Sequence, residues 1–422
     1  MTWWFFPLWF IFLFCNMPIA FSLAVVSTIY LLSQGIDPYL IVQKMVSAPN
    51  SFPLLAVPFF IFAGNIMNCS GITNRIFRFA KSLVGRIPGG LGHVNIVASM
   101  IFSGMSGSAV ADASGLGVME IDAMVKEDYD PGFSSAITAA SATIGPIVPP
   151  SIPMVLFGVL SGASVGKLFL GGLIPGVMMG LGLMIVTYFI GRKNNYKVKE
   201  PFRLSKLLVD LKESIWALFT PAIIMGGIIL GFFTPTEAAI VTVAYAMLIS
   251  AVVYKGLNWK AIKGAIVDTI EFTANILILV AGAKLFGWVL TISNIPQRVT
   301  VGLLSVTTNT HLMMFIIAGF VLFLGMFMDD IPIMMILIPI LMPIINSVGI
   351  SPVHLGVVFV LVAMIGLITP PFAVNIMIVS KIAKIPFSKT LVSILPFLAI
   401  LIVVAIITII SPKLICFLPN LM

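Results

Sequence analysis

Charge is what this chain has least of: 9% of its 422 residues are Asp, Glu, Lys or Arg. A soluble domain of this length needs a charged surface, and a chain this apolar could not cover one. With 60% hydrophobic residues and a mean hydropathy of +1.16, the sequence reads as an all-α polytopic membrane protein. Cysteine is also scarce. Cys15, Cys69 and Cys416 lie in or beside apolar segments without metal-ligand spacing, which excludes a disulfide framework or a zinc site. Acidic residues number 15 against 23 basic ones, for a net charge of +8. The basic residues sit in short loops between apolar runs. They therefore speak for membrane orientation and against nucleic acid as a partner. The stretch 162–168 superficially resembles a phosphate-binding loop. It is one residue short, has Leu168 where Ser or Thr is needed, and follows no strand, so ATP hydrolysis is excluded. The N-terminus lacks a basic segment and a cleavage site and is expected to be a retained first span.

What is present is a pair of polar interruptions, and the pair occurs twice. Ser103 to Asp112 and Thr143 to Ser151 are small, polar and broken by glycine or proline, yet lie in strongly apolar surroundings. Gly325 to Pro332 and Gly366 to Asn375 repeat the design. Gly104 precedes Gly145 by 41 residues, and Gly325 precedes Gly366 by the same 41. Pro149-Pro150 and Pro370-Pro371 keep a common offset of 221. Such register implies an internal duplication. Non-helical backbone at membrane depth is tolerated only where protein buries it or water lines it, so these interruptions point to a binding site.

Taken in order, residues 3–33 form two short helices meeting at Asn16-Met17-Pro18, followed by a polar loop at 34–50 and a span at 52–70. A basic segment from Asn74 to Arg86 faces the cytoplasm. Residues 92–125 read as a re-entrant helical hairpin, 134–160 as a span broken at Gly145–Pro150, and 168–190 as an unbroken span. The loop 191–214 carries seven basic residues, among them Lys197, Lys199 and Arg203, and part of it is expected to lie along the membrane surface. The second half repeats this order, with helices at 216–232 and 235–254, a span at 271–293, a hairpin at 311–350, a broken span at 353–380 and a last span at 390–411. The domains are therefore a first repeat at 1–190 (scaffold 1–70, hairpin and broken span 92–160), a basic linker at 191–215, and a second repeat at 216–412 (scaffold 216–293, hairpin and broken span 311–380). Five spans and one hairpin per half make the second copy inverted. The loops then placed inside hold 18 of the 23 Lys and Arg residues, and both termini lie outside.

The breaks suit cation coordination and anion orientation. Unwound carbonyls and hydroxyls replace the hydration shell of Na⁺, while helix N-termini point positive charge at a carboxylate. The first sodium site is expected at Ser103, Ser106, Gly145 and Val148, and the second at Gly325, Gly366, Thr369 and Phe372. Glycine and apolar members act there through carbonyls. Close packing by small residues is the competing use of such stretches. Ser108 and Asp329 are equivalent under the 221 offset. They and Asp112 are candidates for substrate contact or support of an ion site, or for capping a hairpin helix. Asn375 and its small polar counterpart Ser151 complete the substrate-binding set. His93 and His311 read as interfacial. Lys284 could neutralise an acidic substrate, pair with Glu271 or Asp268, or snorkel to the nearer interface.

The motifs at 106–117, 143–154, 233–239 and 325–333 resemble the large membrane subunit of the tripartite ATP-independent periplasmic (TRAP) transporters, and they span most of the chain. The resemblance implies an elevator-type importer driven by a Na⁺ gradient and embedded in lipid of the bacterial inner membrane. It implies no catalytic residue and no cofactor beyond Na⁺ as coupling ion. It also implies a periplasmic substrate-binding protein, a small four-helix membrane subunit, expected as a separate chain, and an organic acid substrate such as a C4-dicarboxylate or a sialic acid. The moving carrier would be the two hairpin units, whose centres are rich in glycine, serine and alanine. A self-sufficient Na⁺/carboxylate symporter is the alternative within transport. An intramembrane enzyme using Asp329 and Asp330 is the alternative outside it.

Overall fold

The computed structural model describes residues 4–196 and 204–421, and helices are the only regular structure among them. Lys197, Lys199, Glu200 and Arg203 of the basic linker lie outside the described residues. Six helices are long and apolar enough to cross a membrane, among them Val165–Lys193, Trp259–Ile292 and Phe387–Ile410. The remaining apolar helices are short because the chain breaks them. Phe5–Phe14 and Ile19–Ser33 meet at Asn16, which takes a positive φ of 62°.

Three departures from the sequence reading stand out. The stretch 34–50 is not a plain loop: Pro38–Ser47 is helical, with Pro38 at its first position and the Asp37 carboxylate accepting from the Tyr39 N–H. Asp followed by Pro is an N-cap followed by a residue with its φ already set for a helix. The linker helix is not separate either. Leu204–Ile229 runs unbroken from the surface into the apolar region, because nothing between Lys212 and Trp216 stops it. Its polar start packs on Ile72–Val84, where Arg78 pairs with Glu213 at 2.8 Å, Ser82 bonds Asp210, and the Ser214 hydroxyl donates to the Arg75 carbonyl. A further helix, Ile295–Val306, lies where no element was expected.

Each hairpin is two packed arms. Gly90–Ser106 turns at Gly107 and returns as Ala109–Ser114 and Leu116–Lys126. Thr310–Gly325 turns and returns as Asp330–Val348. The broken spans are Pro131–Ala142 with Ile152–Ser161, and Pro352–Gly366 with Val374–Ala383. Pro131–Ala142 is buried from Gly132 onward, packed between its own hairpin and the helices Val374–Ala383 and Phe387–Ile410 of the other half. Its contact with Val374–Ala383 interlocks the two hairpin units, and the hydroxyl of Ser135 meets that of Thr390 on the last span at 3.0 Å. The long helix Trp259–Ile292 packs on Ile19–Ser33 and Ala56–Cys69, and also touches the hairpin arm Asp330–Val348.

Candidate transport site

Each hairpin tip rests on the break of its own broken span, and glycine makes both contacts possible. Gly107 has a φ of 61°, and a Cβ on it would stand 2.7 Å from the Pro150 carbonyl oxygen. A Cβ on Gly145 would meet the Ser108 backbone at 3.5 Å. In the second half the approach is closer still: a Cβ on Gly366 would lie 2.6 Å from the Gly325 Cα. The Phe372 N–H donates to the Met326 carbonyl at 3.2 Å, tying the second break to its hairpin tip. Both double prolines carry a cis bond.

The expected ion ligands therefore come together in two groups. Ser103 is fully buried and its hydroxyl donates to the Ser99 carbonyl; Thr369 donates likewise to Ile365 at 2.7 Å. Each hydroxyl oxygen keeps lone pairs for a cation. The buried Ser106 hydroxyl has no partner among the described residues. No hydrogen bond reaches the carbonyl oxygens of Gly145, Val148, Gly325 or Phe372 among the described residues, while that of Gly366 accepts from the Thr369 N–H. Gly145 and Gly325 are buried while Phe372 is exposed, and carbonyls without donors are the kind of group a bare cation satisfies.

Between the tips lies a cleft. Ser108, Pro146, Asp329, Asp330 and the start of Ile152–Ser161 line one part of it, and Phe272 of the long helix closes one side. A neighbouring hollow shares Ser108, Ile152 and Phe272 and extends to Asn65, Asn68, Ser106 and Asp268. The helices beginning at Ile152 and Asp330 both start at this cleft, so their positive ends face it. Among the described residues, no Lys, Arg or His lines either hollow. Ser108 caps the return arm, with its hydroxyl accepting from the Ala111 N–H at 3.4 Å, and Asp329 caps Asp330–Val348. Capping and pocket-lining are thus combined in the same two residues. Asn375 is fully buried with both side-chain amide atoms unpartnered. Asp112 and Ser151 do not line the cleft. Asp112 faces the hairpin interior beside Ser99, and Ser151 caps its helix by accepting from the Met154 N–H.

Sequence reasoning missed the scaffold side of this cleft. Asn65 and Asn68, three residues apart in an apolar span, were the available signal. Asn65 donates to the Thr269 hydroxyl at 3.2 Å, and Asn68 accepts from that of Thr73 at 3.0 Å. Lys284 pairs with neither Asp268 nor Glu271, and it lines a different opening on the same helix. His93 is buried rather than interfacial, held to the Pro88 carbonyl at 3.2 Å.

A multi-pass helical protein whose helix breaks converge on a shared polar cleft is a membrane transporter by class. The model of the family described as "Tripartite ATP-independent periplasmic transporter, DctM component" matches residues 6–414, and the chain belongs to that family. It is 42% identical to the sialic acid TRAP transporter large permease protein SiaM of Vibrio cholerae, covering 98% of this chain and 97% of that one. It is 40% identical to the sialic acid TRAP transporter permease protein SiaT of Haemophilus influenzae, over 98% of this chain and 67% of the other. To the C4-dicarboxylate large permease DctM of Pseudomonas aeruginosa it is 34% identical, over 89% and 88%. The fold is similar to the crystal structure of the YdaH transporter of Alcanivorax borkumensis, with a TM-score of 0.63 over 88% and 87% of the chains at 14% identity. This is a multi-pass inner-membrane transport protein, one component of a tripartite system, and not an enzyme.

Proposed function

We propose that this chain is the translocation subunit of a Na⁺-coupled importer of organic acids. A periplasmic binding protein delivers the acid, and a small membrane subunit completes the complex. The observation that carries this reading is the pairing of each hairpin tip with a helix break, which leaves free carbonyls beside a cleft without a basic residue. An anion entering that cleft has no lysine or arginine to meet, so bound cations and helix N-termini must balance its charge. Na⁺ in Ser103–Ser106–Gly145–Val148 and Gly325–Gly366–Thr369–Phe372 would supply that balance, which makes binding of ion and acid mutually dependent. Ser108, Asp329 and Asn375 are the side chains proposed to meet the acid. The hairpins are read as re-entrant, and the two hairpin units as one carrier moving against residues 1–70 and 216–293.

The sialic acid relatives make N-acetylneuraminate the first acid to try. The test is uptake into proteoliposomes containing this chain, its small subunit and the cognate binding protein. The expected result is accumulation only with an inward Na⁺ gradient and only with the binding protein. Accumulation without the binding protein would favour a self-sufficient symporter. Accumulation without Na⁺ would remove the ion-coupled reading.

A further inference from the structure

A larger opening, of about 800 Å³, lies between the long helix Trp259–Ile292 and the hairpin arm Asp330–Val348. Two amino groups line it, those of Lys44 and Lys284, and no Asp or Glu does. Lys44 is the one charged residue of the helix Pro38–Ser47. Its Nζ stands 5.8 Å from the centre of the Trp288 ring. Trp288 follows Lys284 by one helical turn, so the two side chains share a face about 6 Å apart at their Cα atoms. The Trp288 indole thus anchors the Lys44 ammonium on the wall of the opening that Lys284 also lines. Two cations lining one space, with no carboxylate among the described lining residues, favour an anion within it. Ser47, Thr291 and Asn346 add neutral hydrogen-bonding groups around the same space. Lys284 also interrupts an apolar stretch, Val280 to Leu290, where a cation is costly and marks a ligand path.

Toward the other end of the same helix stands an acid. Asp268 lines the hollow beside the hairpin tips, where no basic side chain stands. Lys260 and Lys263, which precede it on the helix, line neither opening. Asp268 and Lys284 are separated by about 24 Å along the helix axis. We propose that Lys44 and Lys284 form a carboxylate-binding vestibule on the periplasmic side, which captures the acid before the hairpin tips receive it. Asp268, with Asp329 and Asp330, makes the region of the hairpin tips acidic, so the two lysines supply the cationic stage of the path before the acid reaches it. This inference rests on the organic-acid reading and on the orientation given by the basic loops.

Two measurements test it, and the first needs no transport. In the complete chain with Cys15, Cys69 and Cys416 replaced by Ser, Ser161→Cys places a thiol on the wall of the opening. The readout is its reaction rate with anionic 2-sulfonatoethyl methanethiosulfonate relative to the cationic trimethylammonioethyl reagent. Adding Lys44→Gln and Lys284→Gln should lower that ratio by about threefold to tenfold, while the paired Arg changes should preserve it. An unchanged ratio in the Gln variant overturns the site. The second measurement is uptake of labelled N-acetylneuraminate and of labelled succinate by the full complex. Lys284→Gln should raise KM about tenfold with the maximal rate retained, and Lys284→Arg should restore it. An unchanged KM overturns the capture role. If the unmodified complex takes up neither acid, the organic-acid reading fails, and the reagent ratio alone decides whether the vestibule selects anions.

Discussion

Inside the first hairpin unit the helices are joined by hydroxyls and amides, whereas inside the second they are joined by methionine, isoleucine and valine. The Asn95 amide donates to the Thr138 hydroxyl at 2.7 Å and accepts from that of Ser141 at 2.6 Å, and Ser99 reaches Ser141 at 3.2 Å. The matching interior of the second unit is built from Met334, Met335, Ile338, Val357, Val360 and Leu361, all buried. Its break is held by backbone against backbone, at Gly325 and Gly366. The two halves thus place the same kind of tip on the same kind of break by different forces. Directed hydrogen bonds specify the first, and close packing specifies the second.

The comparison is broken most severely by Gly366→Ala. Its Cβ would collide with backbone that has no rotamer to retreat into, at a cost of about 3 kcal/mol. Thermal unfolding of the purified protein should show a clear drop in Tm, and uptake should fall more than tenfold. Gly145→Ala, in the first half, meets its neighbours at 3.2 Å and beyond and keeps the carbonyl, so its loss should be much smaller. Equal losses at both positions would contradict the distinction.

A polar deletion sharpens it from the other side. Asn95→Ala removes two buried side-chain hydrogen bonds, leaving Thr138 and Ser141 to their local carbonyls and Ser99, and should cost about 1–3 kcal/mol. Ile338→Val in the second unit only trims packing and should cost about 0.5–1.5 kcal/mol. Denaturant midpoints of the two variants would rank them.

Much of this was legible beforehand. The helix breaks, the duplicated glycines and double prolines, and the two short opening helices could be read because glycine, proline and apolar length carry strong local signals. The scaffold face of the cleft could not. Asn65, Asn68 and Phe272 owe their roles to packing between segments 200 residues apart in sequence, as the Asn65–Thr269 contact shows, and no local pattern encodes such a meeting. Asp112, four residues past the capping Ser108, lies on the short return arm, which turns it toward Ser99 in the hairpin interior. The helix at Pro38–Ser47 is short and its apolar residues run together at Tyr39–Val42 rather than at helical spacing, so only Asp37 and Pro38 announce it.

Ion ligation gives a subtler contrast. Ser103→Ala and Thr369→Ala each remove one hydroxyl from a site with several ligands, at a cost of about 1–3 kcal/mol. Each should raise the Na⁺ concentration for half-maximal uptake, by about fivefold or more. Unchanged Na⁺ dependence in either would remove that residue from its site.

The smallest effect is expected at the seam between the first unit and the last span. Asp130 caps Pro131–Ala142 and pairs with Lys389 of the last span at 2.7 Å. Partial burial pushes the Asp130 carboxyl up, but the Lys389 ammonium and the backbone N–H groups of Phe133 and Gly132 outweigh it and hold the group below its usual range. A depressed value means the stabilisation is present above the ordinary carboxylate pKa, near 4, and is lost as pH falls through the folded value. Asp130→Asn should therefore lower stability slightly at pH 7, by less than about 1 kcal/mol for so exposed a pair, and the difference should vanish in acid. Melting curves at pH 7 and pH 3 would check the sign.

One measurement addresses the carrier assignment directly. In a cysteine-free background, Gly287→Cys with Pro339→Cys would bridge the long scaffold helix to the second hairpin, where the Cβ positions are 3.8 Å apart and suit a disulfide. Ser135→Cys with Thr390→Cys would bridge the first hairpin unit to the last span, which also packs on the second unit and moves with both in this account. Uptake is measured for each oxidised protein and again after reduction. The account predicts that the first bridge stops transport reversibly while the second leaves it largely intact. Full uptake through the Gly287–Pro339 bridge, or arrest by the Ser135–Thr390 bridge alone, would contradict a carrier made of both hairpin units moving as one body.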